Sequence, residues 1–118
     1  MEQENLLNNL RKESSINEIQ EYIKKVIDIR GFGEQPVEQQ LLLLLEEVGE
    51  LAKAIRKEAT NMCIDKTKLI NYDTVENEIA DVFIVLTSIC NSRNINLFDA
   101  VVNKERINIK RKWDNENK

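Results

Sequence analysis

A chain of 118 residues fits one domain, and its formal net charge of −4 argues against a nucleic-acid polymer as partner, since that footprint is normally basic. It contains no histidine, which excludes Ser-His and Cys-His nucleophile arrangements, nearly all zinc sites and the usual general base near neutral pH. Its two cysteines, Cys63 and Cys90, make no disulfide framework and fit a reduced cytoplasmic setting. Met1 to Leu10 has no signal-peptide pattern, and the longest uncharged stretch, Val82 to Ser92, is too short to span a bilayer, so no membrane partner is expected.

One proline and three glycines, among many Leu, Ile, Glu, Lys and Asn residues, favour helices over sheet. Four helices are predicted. The first starts at the capping box Ser15-Ile16-Asn17-Glu18, carries Ile16, Ile19, Ile23, Val26 and Ile27 at helical spacing, and ends at Gly31. Pro36 suits the first turn of the second, which runs to about Lys57. Ala59 to Tyr72 is the least periodic part and reads as an irregular connection. Asp73-Thr74-Val75-Glu76 resembles a second capping box and opens a helix to about Asn91. After a turn at Asn94, Asn96 caps a helix from Leu97 to about Trp113, and Asp114 to Lys118 is expected to fray. The expectation is a single all-α domain over residues 1–118, with its core from about 15 to 113.

The acids carry the chemistry. Glu47 and Glu50 are three residues apart and share a helical face with Leu43 and Ala54. The apolar arc of that helix is predicted as Leu41, Leu44, Leu45, Val48, Leu51, Ala52 and Ile55, so the glutamates lie between apolar neighbours, and Glu46 adds a third acid beside them. Glu78 and Asp81 repeat the spacing at the start of a segment uncharged from Val82 to Ser92, and a helix apolar all round is expected to be buried. One such pair is ordinarily a solvated face. Two pairs on adjacent helices, each flanked by apolar residues, bring together like charges whose ionisation desolvation opposes. A divalent cation resolves this, and oxygen-only ligands suit magnesium or manganese.

The last predicted helix puts polar residues where its apolar stripe should continue. Leu97, Ala100 and Val101 lead into Lys104, Ile107, Asn108 and Arg111. Between Lys104 and Lys112 five bases face one acid, Glu105. Bases facing a carboxylate–metal centre suit a polyphosphate, although cations also offset a helix C-terminal dipole. Trp113 is a candidate for stacking on a base, though a sole tryptophan is more often a packing residue.

Glu46-Glu47-Val48-Gly49-Glu50 followed by Glu78-Ile79-Ala80-Asp81 resembles the E-E-x-x-E and E-x-x-D motifs of the MazG-like family, within the all-α nucleoside triphosphate pyrophosphatases. Lys104, Asn108, Arg111 and Trp113 resemble the K-x-x-x-N-x-x-R-x-W ending of many members. The resemblance spans about Pro36 to Trp113. Each motif is weak alone; their order is specific. One departure is Asn77, where many relatives carry a second acid before the E-x-x-D glutamate.

The resemblance implies a four-helix, bundle-like fold completed by homodimer or homotetramer formation, with sites near subunit interfaces. It implies Glu47, Glu50, Glu78 and Asp81 as magnesium ligands, and Lys104, Asn108 and Arg111 as residues that approach phosphates. The implied reaction cleaves the α–β phosphate bond of a (deoxy)nucleoside triphosphate to monophosphate and pyrophosphate, as house-cleaning of the nucleotide pool. Glu46 or Glu47 is the candidate for orienting or deprotonating the attacking water. The alternatives are a related enzyme acting on phosphoribosyl-ATP or dUTP, and a non-catalytic helical module in which the acids hold a stabilising metal.

Overall fold

The structure, a computed structural model, describes residues 2–112. The described chain forms α1 (Glu2–Asn8), α2 (Ile16–Ile29), α3 (Val37–Ala59), a 3₁₀ segment (Lys66–Asn71), α4 (Val75–Ser92) and α5 (Leu97–Ile109), with no strand among these residues. The four predicted helices are present, and the loop between the second and third condenses into the 3₁₀ segment. Helix α1 lies outside the prediction; its seven residues are too few for periodicity to register. Trp113 and the predicted tail lie outside the described residues.

Local chemistry sets the helix ends. The Ser15 hydroxyl accepts from the Glu18 N–H while the Glu18 carboxylate accepts from the Ser15 N–H, closing the predicted box. Helix α2 stops in a Schellman turn: Gly31 takes φ +87°, its N–H bonds the Asp28 carbonyl, and the Phe32 N–H bonds the Ile27 carbonyl. Helix α4 ends the same way around Asn94 at φ 56°, with the Ile95 N–H on the Cys90 carbonyl. Its start differs by one residue from the prediction. Thr74 is the cap and receives the Asn77 N–H, while Asp73 accepts from the Thr74 N–H and the Asn77 amide, so Glu76 closes no box. Pro36 occupies the cap position of α3 rather than its first turn, and Asn96 caps α5 as expected.

Helices α3 and α4 form the main pair and run antiparallel. Two hydrogen bonds tie their ends, the Val75 N–H to Glu58 and the Ser92 hydroxyl to Gln40 at 2.6 Å, and between them Glu47 comes opposite Asp81. Helix α2 packs across α4 and also receives α1 and α5. Gln20 stitches this corner, donating to Asn91 and to the Ile95 carbonyl and accepting from the Leu97 N–H.

The buried apolar core is small: Ile23, Val26, Ala54 and Cys90. Most of the apolar arc predicted for α3 faces outward in the single chain, with Leu41, Leu45, Val48, Ala52 and Ile55 exposed, while Leu44 and Leu51 are half-buried. Helix α4 is likewise not covered all round; Ile79 and Leu86 are exposed. Two neighbouring helices shield only part of each circumference, which leaves the outer apolar stripes in contact with solvent.

Candidate functional site

The register of α3 and α4 sets Glu47 opposite Glu78 and Asp81. These three side chains each offer a carboxylate oxygen, and the oxygens all lie within 4.8 Å of one another. Glu78 is buried, Glu47 half-buried and Asp81 exposed, so the group forms a wall of the inter-helix groove that opens to solvent on one side. One Glu78 oxygen is buried with no hydrogen-bond partner. Burial pushes the Glu78 carboxyl above its ordinary value; Asp81, Asp73 and Glu50 add to this, and Lys53 opposes it. Burial also raises Glu47, helped by Asp81, Glu78, Glu50 and Glu46.

An orphaned buried carboxylate oxygen and three converging hard donors are what a divalent cation removes from the debit side: it offsets the charge repulsion and coordinates the unpaired oxygen. The donor set is all oxygen, which fits magnesium or manganese rather than zinc.

The other candidates are placed differently. Glu50 stays outside the converging group; it is half-buried, and its carboxylate lies 3.6 Å from Lys53 Nζ. Glu46 is exposed beside the group. On α5, Lys104 and Arg111 are exposed, and Asn108 donates to Glu105 with its own carbonyl oxygen buried and unpaired. Helix α5 rests on α2 and packs extensively on neither α3 nor α4. Helix α5 joins the body mainly through α2, where the Asn96 amide donates to Asn17 and the Leu97 N–H donates to Gln20 near its N-terminal end. Trp113, the remaining candidate, lies outside the described residues.

Two features flank the acids along the groove. Toward the Gln40–Ser92 end lies a largely apolar cavity of about 190 Å³, lined by Ile27, Phe32, Gln35, Gln40, Leu43, Val85 and Ser88. Toward the Glu58–Val75 end, Lys53 lies 4.9 Å and Lys57 5.9 Å from the centre of the Tyr72 ring, and Arg56 donates to the Tyr72 hydroxyl at 3.0 Å. The sequence reading missed both. Lys53 was legible as the cation three residues after Glu50, but Tyr72 comes from the irregular connection, whose path only the folded chain reveals.

No helix among the described residues is long and apolar enough to cross a membrane. No curated protein matches the chain. Among solved structures it resembles the Bacillus subtilis protein YPJD, assigned as a pyrophosphatase, with a TM-score of 0.72 and 24% identity over 86% of this chain and 100% of that one, a likeness of fold. Residues 35–112, most of the chain, match the family model of the MazG nucleotide pyrophosphohydrolase domain. That stretch contains both acid pairs, the groove between them and the whole of α5, so the chain belongs to the MazG nucleotide pyrophosphohydrolase family.

Proposed function

We propose that this chain is a magnesium-dependent enzyme that cleaves the α–β phosphate bond of a (deoxy)nucleoside triphosphate, releasing monophosphate and pyrophosphate. The observation that carries the reading is the convergence of Glu47, Glu78 and Asp81 around a buried carboxylate oxygen that has no protein partner. Bound there, magnesium supplies positive charge to the phosphoryl oxygens and lowers the pKa of water, which replaces the histidine base the chain lacks.

Glu47, Glu78 and Asp81 would hold the ion, and Glu50, three residues from Glu47 on α3, would join them on releasing Lys53. Glu47 is then engaged through its oxygens, so the exposed Glu46 is the carboxylate that orients the attacking water and accepts its proton. Buried Glu78 fixes the geometry, since its backbone is locked in the first turn of α4 by the Thr74 cap.

Lys104, Asn108 and Arg111 reach the triphosphate from a second copy of the chain. Two observations support this. Within one chain α5 packs mainly on α2, and Leu41, Leu45, Val48 and Ile55 on α3 and Ile79 and Leu86 on α4 are exposed apolar side chains that a second copy would cover. A homodimer, or a homotetramer built from it, covers this surface. The free thiols of exposed Cys63 and buried Cys90 suit a reducing cytoplasm, where the activity clears unwanted nucleoside triphosphates from the nucleotide pool.

The test is pyrophosphate release from the standard ribo- and deoxyribonucleoside triphosphates, with magnesium and with chelator. Magnesium-dependent release of pyrophosphate and monophosphate in equal amounts is the expected result, abolished in Glu50→Gln and Asp81→Asn. Full magnesium-dependent turnover in those variants refutes the ligand assignment. A metal-induced rise in melting temperature with no nucleotide consumed favours the non-catalytic module instead.

A further inference from the structure

The α3–α4 groove has a direction. Read from the N-terminal end of α3, it passes the apolar cavity at Leu43 and Val85, then the acids Glu47, Glu78 and Asp81, then the cations Lys53, Arg56 and Lys57 around Tyr72. With a rise of 1.5 Å per residue, Lys53 follows Glu47 by about 9 Å along α3, and its side chain reaches back toward Glu50. A nucleoside triphosphate has the same order: a flat base with stackable faces, a reacting phosphorus, and a terminal polyanion.

We propose that Lys53 and Lys57, gathered at the Tyr72 ring, are the seat of the pyrophosphate end of the nucleotide, so that the substrate lies along the groove with its base toward the Phe32–Leu43 cavity. The inference rests on the reading of the acid group as the site of phosphate-bond cleavage. Lys53 and Lys57 are the positioning residues for the leaving group, and Tyr72 is their support.

The platform is built rather than incidental. Arg56 is half-buried and clamps the Tyr72 hydroxyl at 3.0 Å, which fixes the ring against α3. The ring face then attracts both ammonium groups to one place, at 4.9 and 5.9 Å from its centre. Of the acids around the platform, Glu58 accepts the Val75 N–H, Asp73 accepts from Thr74 and Asn77, and Glu78 feels the Lys53 charge without an ion pair to it. Glu50 forms the ion pair with Lys53, and its move to a metal ion would release that lysine. Metal binding and readiness for the polyanion are thereby linked through one ion pair. The cavity at the opposite end is mainly apolar; its polar lining is the neutral Gln35, Gln40 and Ser88, with no cation to balance a pyrophosphate.

The experiment is calorimetric titration of the full chain, in magnesium, with inorganic pyrophosphate and separately with nucleoside monophosphates. The double variant Lys53→Gln/Lys57→Gln is expected to weaken pyrophosphate about tenfold or more and to leave monophosphate binding within about twofold. Lys53→Arg/Lys57→Arg is expected to restore most of the loss. Lys12→Gln/Lys25→Gln removes the same charge away from the groove and is expected to change neither affinity. Unchanged pyrophosphate affinity in the first variant overturns the proposal, as does an equal loss in the remote one, or a wild-type protein that does not bind pyrophosphate. Because binding is read without turnover, a chain that consumes no nucleotide would refute the proposed reaction while this measurement still decides the role of Lys53 and Lys57.

Discussion

Glu78 on α4 and Glu47 on α3 bring carboxylate oxygens within 4.8 Å of each other, although one Glu78 oxygen is buried without a hydrogen bond. Burial holds both carboxyls above their ordinary values; Asp81 adds to both rises, and Glu78 adds to that of Glu47. This is a site under electrostatic tension in the absence of a cation. Its consequences can be measured independently of catalysis.

Glu78→Gln removes the buried charge and keeps the shape. In chelator this variant is expected to melt several degrees higher than the wild type, because an unpaired buried carboxylate is replaced by a neutral amide. With magnesium the order reverses, and turnover is expected to fall by about 100-fold or more. Thermal melts with and without metal, alongside pyrophosphate release, check this; a variant that melts lower in chelator would show that Glu78 is satisfied in the metal-free fold.

The pH dependence follows in sign. Glu47 and Glu78 have raised values in the folded chain, so the stability linked to their protonation is complete below the ordinary carboxylate range, near 4.5, and is lost as pH rises through their folded values. Asp65 and Asp73 act oppositely: hydrogen bonds from Thr67, and from Asn77 and Thr74, lower them, so their contribution is present above 3.8 and lost as pH falls through their folded values. In chelator the melting temperature is therefore expected to rise as pH is lowered from neutrality toward 4.5, and to turn over below 3.8. Saturating magnesium should flatten the first of these trends, because metal and proton compete for the same oxygens. A melting temperature in chelator that falls steadily from pH 7 to 5 would contradict the assignment.

Thr87 is fully buried on α4, and its hydroxyl has no hydrogen-bond partner. Valine has nearly the same shape without the hydroxyl. Thr87→Val is expected to gain about 1 kcal/mol in urea unfolding, with turnover unchanged. A loss of similar size would mean that the hydroxyl is satisfied in the assembled protein.

Ser15→Ala removes the capping-box acceptor at the start of α2 and is expected to lose about 1 kcal/mol. Since α2 carries Ile23 and Val26 of the core but no acid of the site, the variant should lower the melting temperature by a few degrees and keep the affinity for magnesium. Metal titration together with a melt separates the two effects.

Leu45 is 60% exposed on the outward face of α3. If a second copy covers that face, Leu45→Glu is expected to shift the sedimentation coefficient to that of a single chain and to lower turnover, because the α5 bases of the second copy no longer reach the acids. A wild-type protein that sediments as a monomer at micromolar concentration would remove this part of the reading.

Much of this protein is written in its local sequence. Ser15 with Glu18, Gly31 and Asn96 set helix ends through hydrogen bonds within a few residues, so short-range chemistry suffices to read them. The three-residue spacing within each acid pair likewise fixes two faces before any tertiary contact exists. What only the folded chain decided is how those faces meet. The register of α3 against α4 selects Glu47, Glu78 and Asp81 as the converging group and leaves Glu50 to its i,i+3 partner Lys53; helical spacing alone ranks Glu47 and Glu50 equally. The same register carries Tyr72 to Lys53 and Lys57 from a loop without periodicity. It also leaves Leu41, Leu45, Val48 and Ile55 of the α3 arc exposed in the single chain. An apolar stripe records that a surface is to be covered; it does not record by which helix, because burial is non-directional and any matching apolar face satisfies it.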